Sequence, residues 1–232
     1  MRALDRQPSS PAPMRRLLTL APLALAVAAC ATRTTSVDSM PATPAAPAAA
    51  STATGTSIDV AAMAGARPAG STLVVLVRHG EKAAAPAGDP SLSAEGSARA
   101  QALGALLRDV PVTTVVVTPT RRTNETATAA AQARGLTPES VGFGGGVPEH
   151  VNAVASAVRR NAGGIVLVVG HSNTVPAIVH ALGGPVLPEL CDPQYSQLFV
   201  LELPAAGGTP RLVRGTYGAP DRADAGTCAP SR

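Results

Sequence analysis

The sequence predicts an α/β fold, a three-layer α/β/α sandwich with a mostly parallel central sheet, over residues 71 to 218. Three observations predict it. Short, continuous, β-branched apolar runs fit strands covered on both faces. Stretches with helical spacing separate those runs, giving alternating strands and helices. A polar cluster follows each of three runs, at the carboxyl ends of strands where open α/β sheets bind ligands.

Taken in order, Leu73 to Val77 is the first strand, and Ser93 to Arg108 is a helix with Ala98, Ala102, Leu103, Leu106 and Leu107 at helical spacing. Ser93 is its N-cap, and Asp109-Val110-Pro111 stops it. Thr114 to Val117 is the second strand, Arg121 to Arg134 a helix ending at Gly135, and Glu149 to Arg160 a helix ending before Asn161-Ala162-Gly163-Gly164. Ile165 to Val169 is the third strand. Thr174 to Leu182 is a helix only if Pro176 falls in its first turn. Gln197 to Leu203 and Arg211 to Tyr217 flank a Pro/Gly loop and read as a hairpin closing the sheet. Gly144-Gly145-Gly146 reads as a plain loop.

The rest of the chain reads differently. Met14-Arg15-Arg16 precedes an apolar run from Leu17 to Ala29 and the ending Val27-Ala28-Ala29-Cys30. A positive start, a short apolar stretch and small residues before a cut site mark a secretory leader over residues 1 to 29, with Met14 a candidate start. The run falls short of the ~20 residues that span a bilayer. Its ending resembles the bacterial lipobox, which implies lipidation of Cys30 and an exported, membrane-anchored lipoprotein facing the periplasm or the cell exterior. Residues 30 to 70, dominated by Ala, Thr, Ser and Pro, read as a disordered tether, and 219 to 232 as a tail. In an oxidising compartment Cys191 and Cys228 are candidates to pair, which would stabilise by roughly 4 kcal/mol at most for a loop of about 37 residues.

Charge excludes one class of partner. Of the formal +4 of the 232-residue chain, four arginines and one aspartate precede Cys30, leaving 15 basic and 14 acidic residues from there on. A near-neutral domain lacks the basic footprint of a nucleic-acid binder.

The three polar clusters are Arg78-His79-Gly80-Glu81-Lys82, Thr118-Pro119-Thr120-Arg121-Arg122-Thr123 and Gly170-His171-Ser172-Asn173. Two histidines and two or three arginines converging on one crevice suit a phosphoryl group, whose spread negative charge guanidinium groups hold bidentately. Arg78 and Arg122 are candidates for that clamp. A histidine among arginines has its protonated form disfavoured, so His79 can stay neutral, attack phosphorus and carry a phosphohistidine. His171 can donate to a nonbridging oxygen, and Gly80 permits close backbone approach.

These clusters, with Leu92-Ser93-Ala94-Glu95-Gly96, resemble the histidine phosphatase superfamily over about 145 residues, including its phosphoglycerate mutase-like fold. The resemblance implies a phosphorylated nucleophile at His79, a phosphate pocket of Arg78, Arg122 and His171, and no metal or organic cofactor. It selects Arg122 over Arg121. The substrate it implies is a phosphorylated small molecule or phosphohistidine. Larger members place a carboxylate to protonate the leaving oxygen; here that part of the chain is the short Gly142 to Val147, and Glu149 is the nearest candidate acid. The missing insertions turn the expectation from mutase to phosphatase, with a non-catalytic phosphate-binding lipoprotein as the alternative. His150 is expected to be exposed, His180 to be a packing or surface residue, and Lys82 and Arg121 to be solvated charges.

Overall fold

The computed structural model describes residues 57 to 205 and 207 to 222. The leader, Cys30, most of the tether and Cys228 lie outside the described residues. Eleven elements follow in chain order: α1 (Val60–Ala66), β1 (Thr72–Arg78), α2 (Ala94–Leu106), β2 (Thr114–Val117), α3 (Arg121–Gln132), β3 (Glu139–Ser140), α4 (Val147–Arg160), β4 (Ile165–Gly170), α5 (Thr174–Ala181), β5 (Gln197–Leu203) and β6 (Arg211–Thr216).

The six strands form one sheet in the order β3-β2-β4-β1-β5-β6. The first four are mutually parallel, β5 runs antiparallel to β1, and β6 runs antiparallel to β5. Strand β5 alone therefore runs against the rest. Every residue of β1 and β4 is buried, which explains their unbroken apolar runs. Alternate side chains feed two cores. Leu73, Val75 and Val77 join Val60 of α1, Leu103 of α2 and Ala127 of α3 on one face. Val74 and Leu76 join Val154 of α4 and Ile178 of α5 on the other. The result is the expected three-layer sandwich.

Two boundaries differ from the sequence expectation. The tether boundary at residue 70 is corrected, because residues 57 to 70 include α1. Asp59 caps that helix by accepting from the Ala62 N–H at 2.8 Å, and Ile58, Val60 and Ala64 are buried in the core. Ser57 forms a β-bridge with Thr216. The Ala-rich composition, continuous with the tether, conceals this short apolar stripe. Helix α4 starts at Val147 rather than Glu149, with Gly146 at φ +90° as its N-cap and Pro148 in its first turn. Strand β3 was not anticipated, for two half-polar residues carry no apolar signal.

One close approach positions the site. A Cβ on Gly96, at the start of α2, would lie 2.1 Å from the Glu81 carbonyl oxygen, and one on Gly80 would lie 2.8 Å from the Gly96 carbonyl. The pair of glycines lets α2 dock on the turn after β1, and Ser93 donates its N–H to the Glu81 carbonyl at 2.8 Å.

Gly65 tests the new boundary. It lies in α1 with nothing within 4 Å of an added Cβ. Gly65→Ala should raise the stability of the full chain by about 0.5–1 kcal/mol in urea denaturation, as for a helix interior; no shift in midpoint would mean that residues 60 to 66 are not helical in the folded state.

Candidate functional site

Strand order and register bring the three polar clusters together. Strand β4 lies between β1 and β2, with Arg78 opposite Gly170 and Val117 opposite Val169. Arg78-His79, Thr118 and His171 therefore leave the sheet at one edge. The His79 N–H continues the ladder to the Gly170 carbonyl at 3.0 Å. The cleft over this edge has a volume of about 850 Å³ and is lined by Arg78, His79, Arg122 and His171 together with Lys82, Thr120 and Asp192.

His79 is buried, and its Nδ1 lies 2.7 Å from the carbonyl oxygen of Gly80. A carbonyl only accepts, so Nδ1 carries the proton and Nε2 keeps its lone pair. Burial, followed by the charges of Arg78, His171 and Arg122, outweighs the Gly80 bond and lowers its pKa to about 3. The ring is a neutral base with a fixed tautomer. Gly80 is itself tied down: its N–H donates to Thr126 Oγ1 at 2.9 Å, and the Thr126 hydroxyl donates to the Arg122 carbonyl at 2.7 Å. One threonine of α3 thus joins the two halves of the site.

His171 stands edge-on to His79, ring centroids 5.2 Å apart. Its Nε2 is 3.0 Å from Thr118 Oγ1, which also meets the hydroxyl of Thr123 at 2.9 Å. Burial first, then Arg122, His150 and Arg78, lower its pKa to about 4. Neutral at physiological pH, His171 can offer its one N–H to an anion if Nε2 accepts the Thr118 hydroxyl and the proton sits on Nδ1.

Arg78 is fixed almost entirely by the segment before β5. One terminal nitrogen donates to the carbonyls of Cys191 and Asp192, each at 2.8 Å, and the other meets Asp192 Oδ1 at 3.1 Å. Its guanidinium carbon sits 4.0 Å over the Tyr195 ring. Carbonyls and a ring hold the group without cancelling its charge, and the Asp192 side chain is 77% exposed, so solvent screens that pair. Arg122 meets Asp89 at 3.5 Å, and Asp89 also accepts the Arg121 N–H at 2.9 Å. Two cations thus flank two neutral imidazoles in one cleft.

The supporting residues were not anticipated from sequence. Arg99 is buried on α2 and donates to both carboxylate oxygens of Glu81, at 2.6 to 3.1 Å, and to the carbonyls of Tyr217 and Ala219. Burial opposes its charge, but Glu81 outweighs that and its pKa is raised. Asp221 Oδ1 accepts the N–H groups of Tyr195 and Ser196 at 2.8 and 2.7 Å. Arg99 shares the buried face of α2 with Gly96, Ala100 and Leu103. Its phase on that face was the available signal; Asp221 and Tyr195, in irregular segments, carried none.

Other expectations fare differently. Lys82 lines the cleft, whereas Arg121 is exposed outside it. Glu149, the candidate acid, is placed on the surface of α4. It is exposed in the first turn of α4, is not among the cleft-lining residues, and its side chain folds back against Gly145. His150 is corrected, from exposed to buried, with its ring stacked on Phe143 at 4.1 Å. His180 is exposed, as expected of a surface residue. Cys191 is buried and disulfide-bonded; Cys228 lies outside the described residues.

Residues 74 to 141 match the sequence model of the histidine phosphatase superfamily (branch 1). No curated protein matches the chain. Among solved structures, the tungstate complex of the protein histidine phosphatase SixA is 20% identical, superposes with a TM-score of 0.50, and is matched over 62% of this chain and 96% of that one. Mycobacterial hydrolase 2 is 20% identical with a TM-score of 0.52, over 66% and 94%. Mycobacterial hydrolase 1 is 18% identical with a TM-score of 0.50, over 64% and 100%. At these identities the likeness is one of fold.

The Asp221 contacts predict a graded effect on anion affinity. Asp221→Ala frees two N–H groups in the turn that cradles Arg78 and should weaken orthophosphate binding, read by calorimetry, about tenfold, the scale of a lost charge-assisted bond. Asp221→Asn keeps an accepting oxygen and should restore most of the affinity; equal losses in both variants would contradict the positioning role.

Proposed function

We propose that this chain, whose residues 74 to 141 match the histidine phosphatase superfamily, is a phosphatase of that superfamily that hydrolyses phosphomonoesters or phosphoramidates through a phosphohistidine on His79. The observation that carries the proposal is His79 itself: neutral, with Nδ1–H held by the Gly80 carbonyl, beside the arginines of the cleft.

Arg78 and Arg122 draw in the phosphoryl group and hold its oxygens, and His171 donates an N–H to one of them. The Nε2 lone pair of His79 forms a bond to phosphorus while the bond to the leaving oxygen or nitrogen breaks, its electron pair departing with the leaving group. The leaving group takes one proton from water. In the second step a water oxygen attacks phosphorus, the N–P bond returns its pair to Nε2, orthophosphate leaves, and one proton is released to solvent. Protons balance over the two steps. With Glu149 outside the cleft, no carboxylate is assigned to protonate the leaving group, which favours leaving groups that depart readily. Metal-independent turnover is part of the proposal.

The leader supports a location for this activity. Export and lipidation at Cys30 would set the domain at a membrane surface facing the periplasm or cell exterior, with a phosphorylated small molecule or phosphohistidine as substrate. The absence of an assigned acid favours a second reading, a phosphate-binding lipoprotein without turnover.

Trapping in a denaturing alkaline quench separates the two. The full chain incubated with a labelled aryl phosphate and a chelator should yield an acid-labile phosphoenzyme and release phosphate. His79→Ala should abolish both, while Glu149→Gln should leave kcat/KM within about twofold, as for an exposed helix-surface change. No phosphoenzyme from the unaltered chain would leave only the binding reading. The depressed histidine pKa values set a pH profile. With protonated His79 inactive, kcat/KM corrected for substrate ionisation should stay level from pH 7 to 5 and fall below about 4. A fall centred near 6.5 would show that the imidazole is not perturbed as described.

A further inference from the structure

Phe143 and His150 are not used by the chemistry above, yet both stand beside it. Phe143 lines the cleft, and its ring lies 5.6 Å, centroid to centroid, from His171. It stacks on His150 at 4.1 Å with planes only 25° apart. His150 is 1% exposed. Its Nδ1 meets the Gly142 carbonyl at 3.1 Å, so that nitrogen carries the proton, while Nε2 is buried with no partner among the described residues. Burial lowers its pKa, keeping the ring uncharged. A neutral ring with one idle buried nitrogen is ill suited to proton transfer in the cleft; as a flat plate behind Phe143 it has a clear role.

The rest of the cleft has a matching character. The arginines and histidines take the phosphoryl group, which leaves the organic part of a ligand against the remaining walls. One of these is the segment after Lys82, where Ala83, Ala84, Pro86, Ala87 and Pro90 line the cleft with short side chains that can donate no hydrogen bond. Phe143 is the largest apolar surface available to a leaving group.

We propose that Phe143, braced by His150, is a specificity-determining residue that selects substrates whose leaving group is a flat aryl or heteroaryl ring over those with a flexible polyol. The inference rests on the phosphatase reading and adds to it a class of leaving group. Ring-on-ring contact with Phe143 would hold such a group beside His171.

The test compares phenyl phosphate with glycerol 2-phosphate on the full chain. Phe143→Ala and the bulkier Phe143→Leu should each lower the ratio of kcat/KM values, phenyl over glycerol, by roughly three- to tenfold, the scale of an aromatic pair. His150→Phe, which keeps a flat ring, should hold the ratio within about twofold, as a conservative replacement of one ring by another. Equal losses on both substrates would reduce Phe143 to a support for His171 and overturn the proposal, as would an unchanged ratio; a ratio lost in His150→Phe would overturn the bracing. Calorimetric binding of phenylphosphonate against methylphosphonate poses the same question without turnover. A phenyl preference that depends on Phe143 in a chain that releases no phosphate would refute the phosphatase reading and leave the subsite standing, whereas a preference indifferent to Phe143 would refute the subsite.

Discussion

The site depends on keeping an imidazole neutral beside two guanidinium groups. Burial of His79 supplies most of that effect, and Arg78, His171 and Arg122 add to it. On the proposed reading, the same arginines that would attract a phosphoryl group also help to keep His79 unprotonated. Neutrality alone would leave the tautomer free; the Gly80 carbonyl fixes it. Gly80 in turn can sit where it does because it packs against Gly96 and donates to Thr126. A chain of small residues and short bonds thus sets which nitrogen faces the cleft.

The arginines are held in different ways, and the difference bears on function. Arg78 is buried and gripped by carbonyls and the Tyr195 ring, a cradle that fixes direction while preserving charge. Arg122 projects from the first turn of α3 and, among the described residues, pairs with Asp89 at 3.5 Å. Arg78 is held by several partners and Arg122, among the described residues, by one ion pair to a partly exposed carboxylate, which solvent screens.

Much of this was legible in the sequence, for identifiable reasons. Strands β1 and β4 are buried on both faces, so their apolar runs stand out, and the chemistry follows each run directly. His79, His171, Arg78 and Arg122 all belong to such junctions. What stayed hidden lies where long-range packing decides. Helix α1 shares the Ala-rich composition of the tether and shows itself only through the burial of Ile58, Val60 and Ala64. Arg99 has the phase of the buried face of α2, but its partners, Glu81 and two distant carbonyls, are set by long-range packing. Glu149 was the candidate because it is the carboxylate nearest in sequence, and it lies exposed in the first turn of α4. His150, one residue on, faces inward instead, since adjacent positions on a helix point in different directions.

The segment from Tyr217 to Asp221 has a bearing on when the site can exist. Arg99, which anchors Glu81, is satisfied by carbonyls 118 and 120 residues further along the chain. The turn at Tyr195 and Ser196 is closed by Asp221. Strand β1, the first strand in chain order, holds Arg78 at its end, yet the carbonyls that aim Arg78, at Cys191 and Asp192, lie 113 and 114 residues further along, and the Asp221 that closes the turn beside them lies further still. Closing loops of that length costs entropy that only the finished contacts repay. A chain folded only through its early strands and helices would leave Arg78 without the carbonyls that aim it.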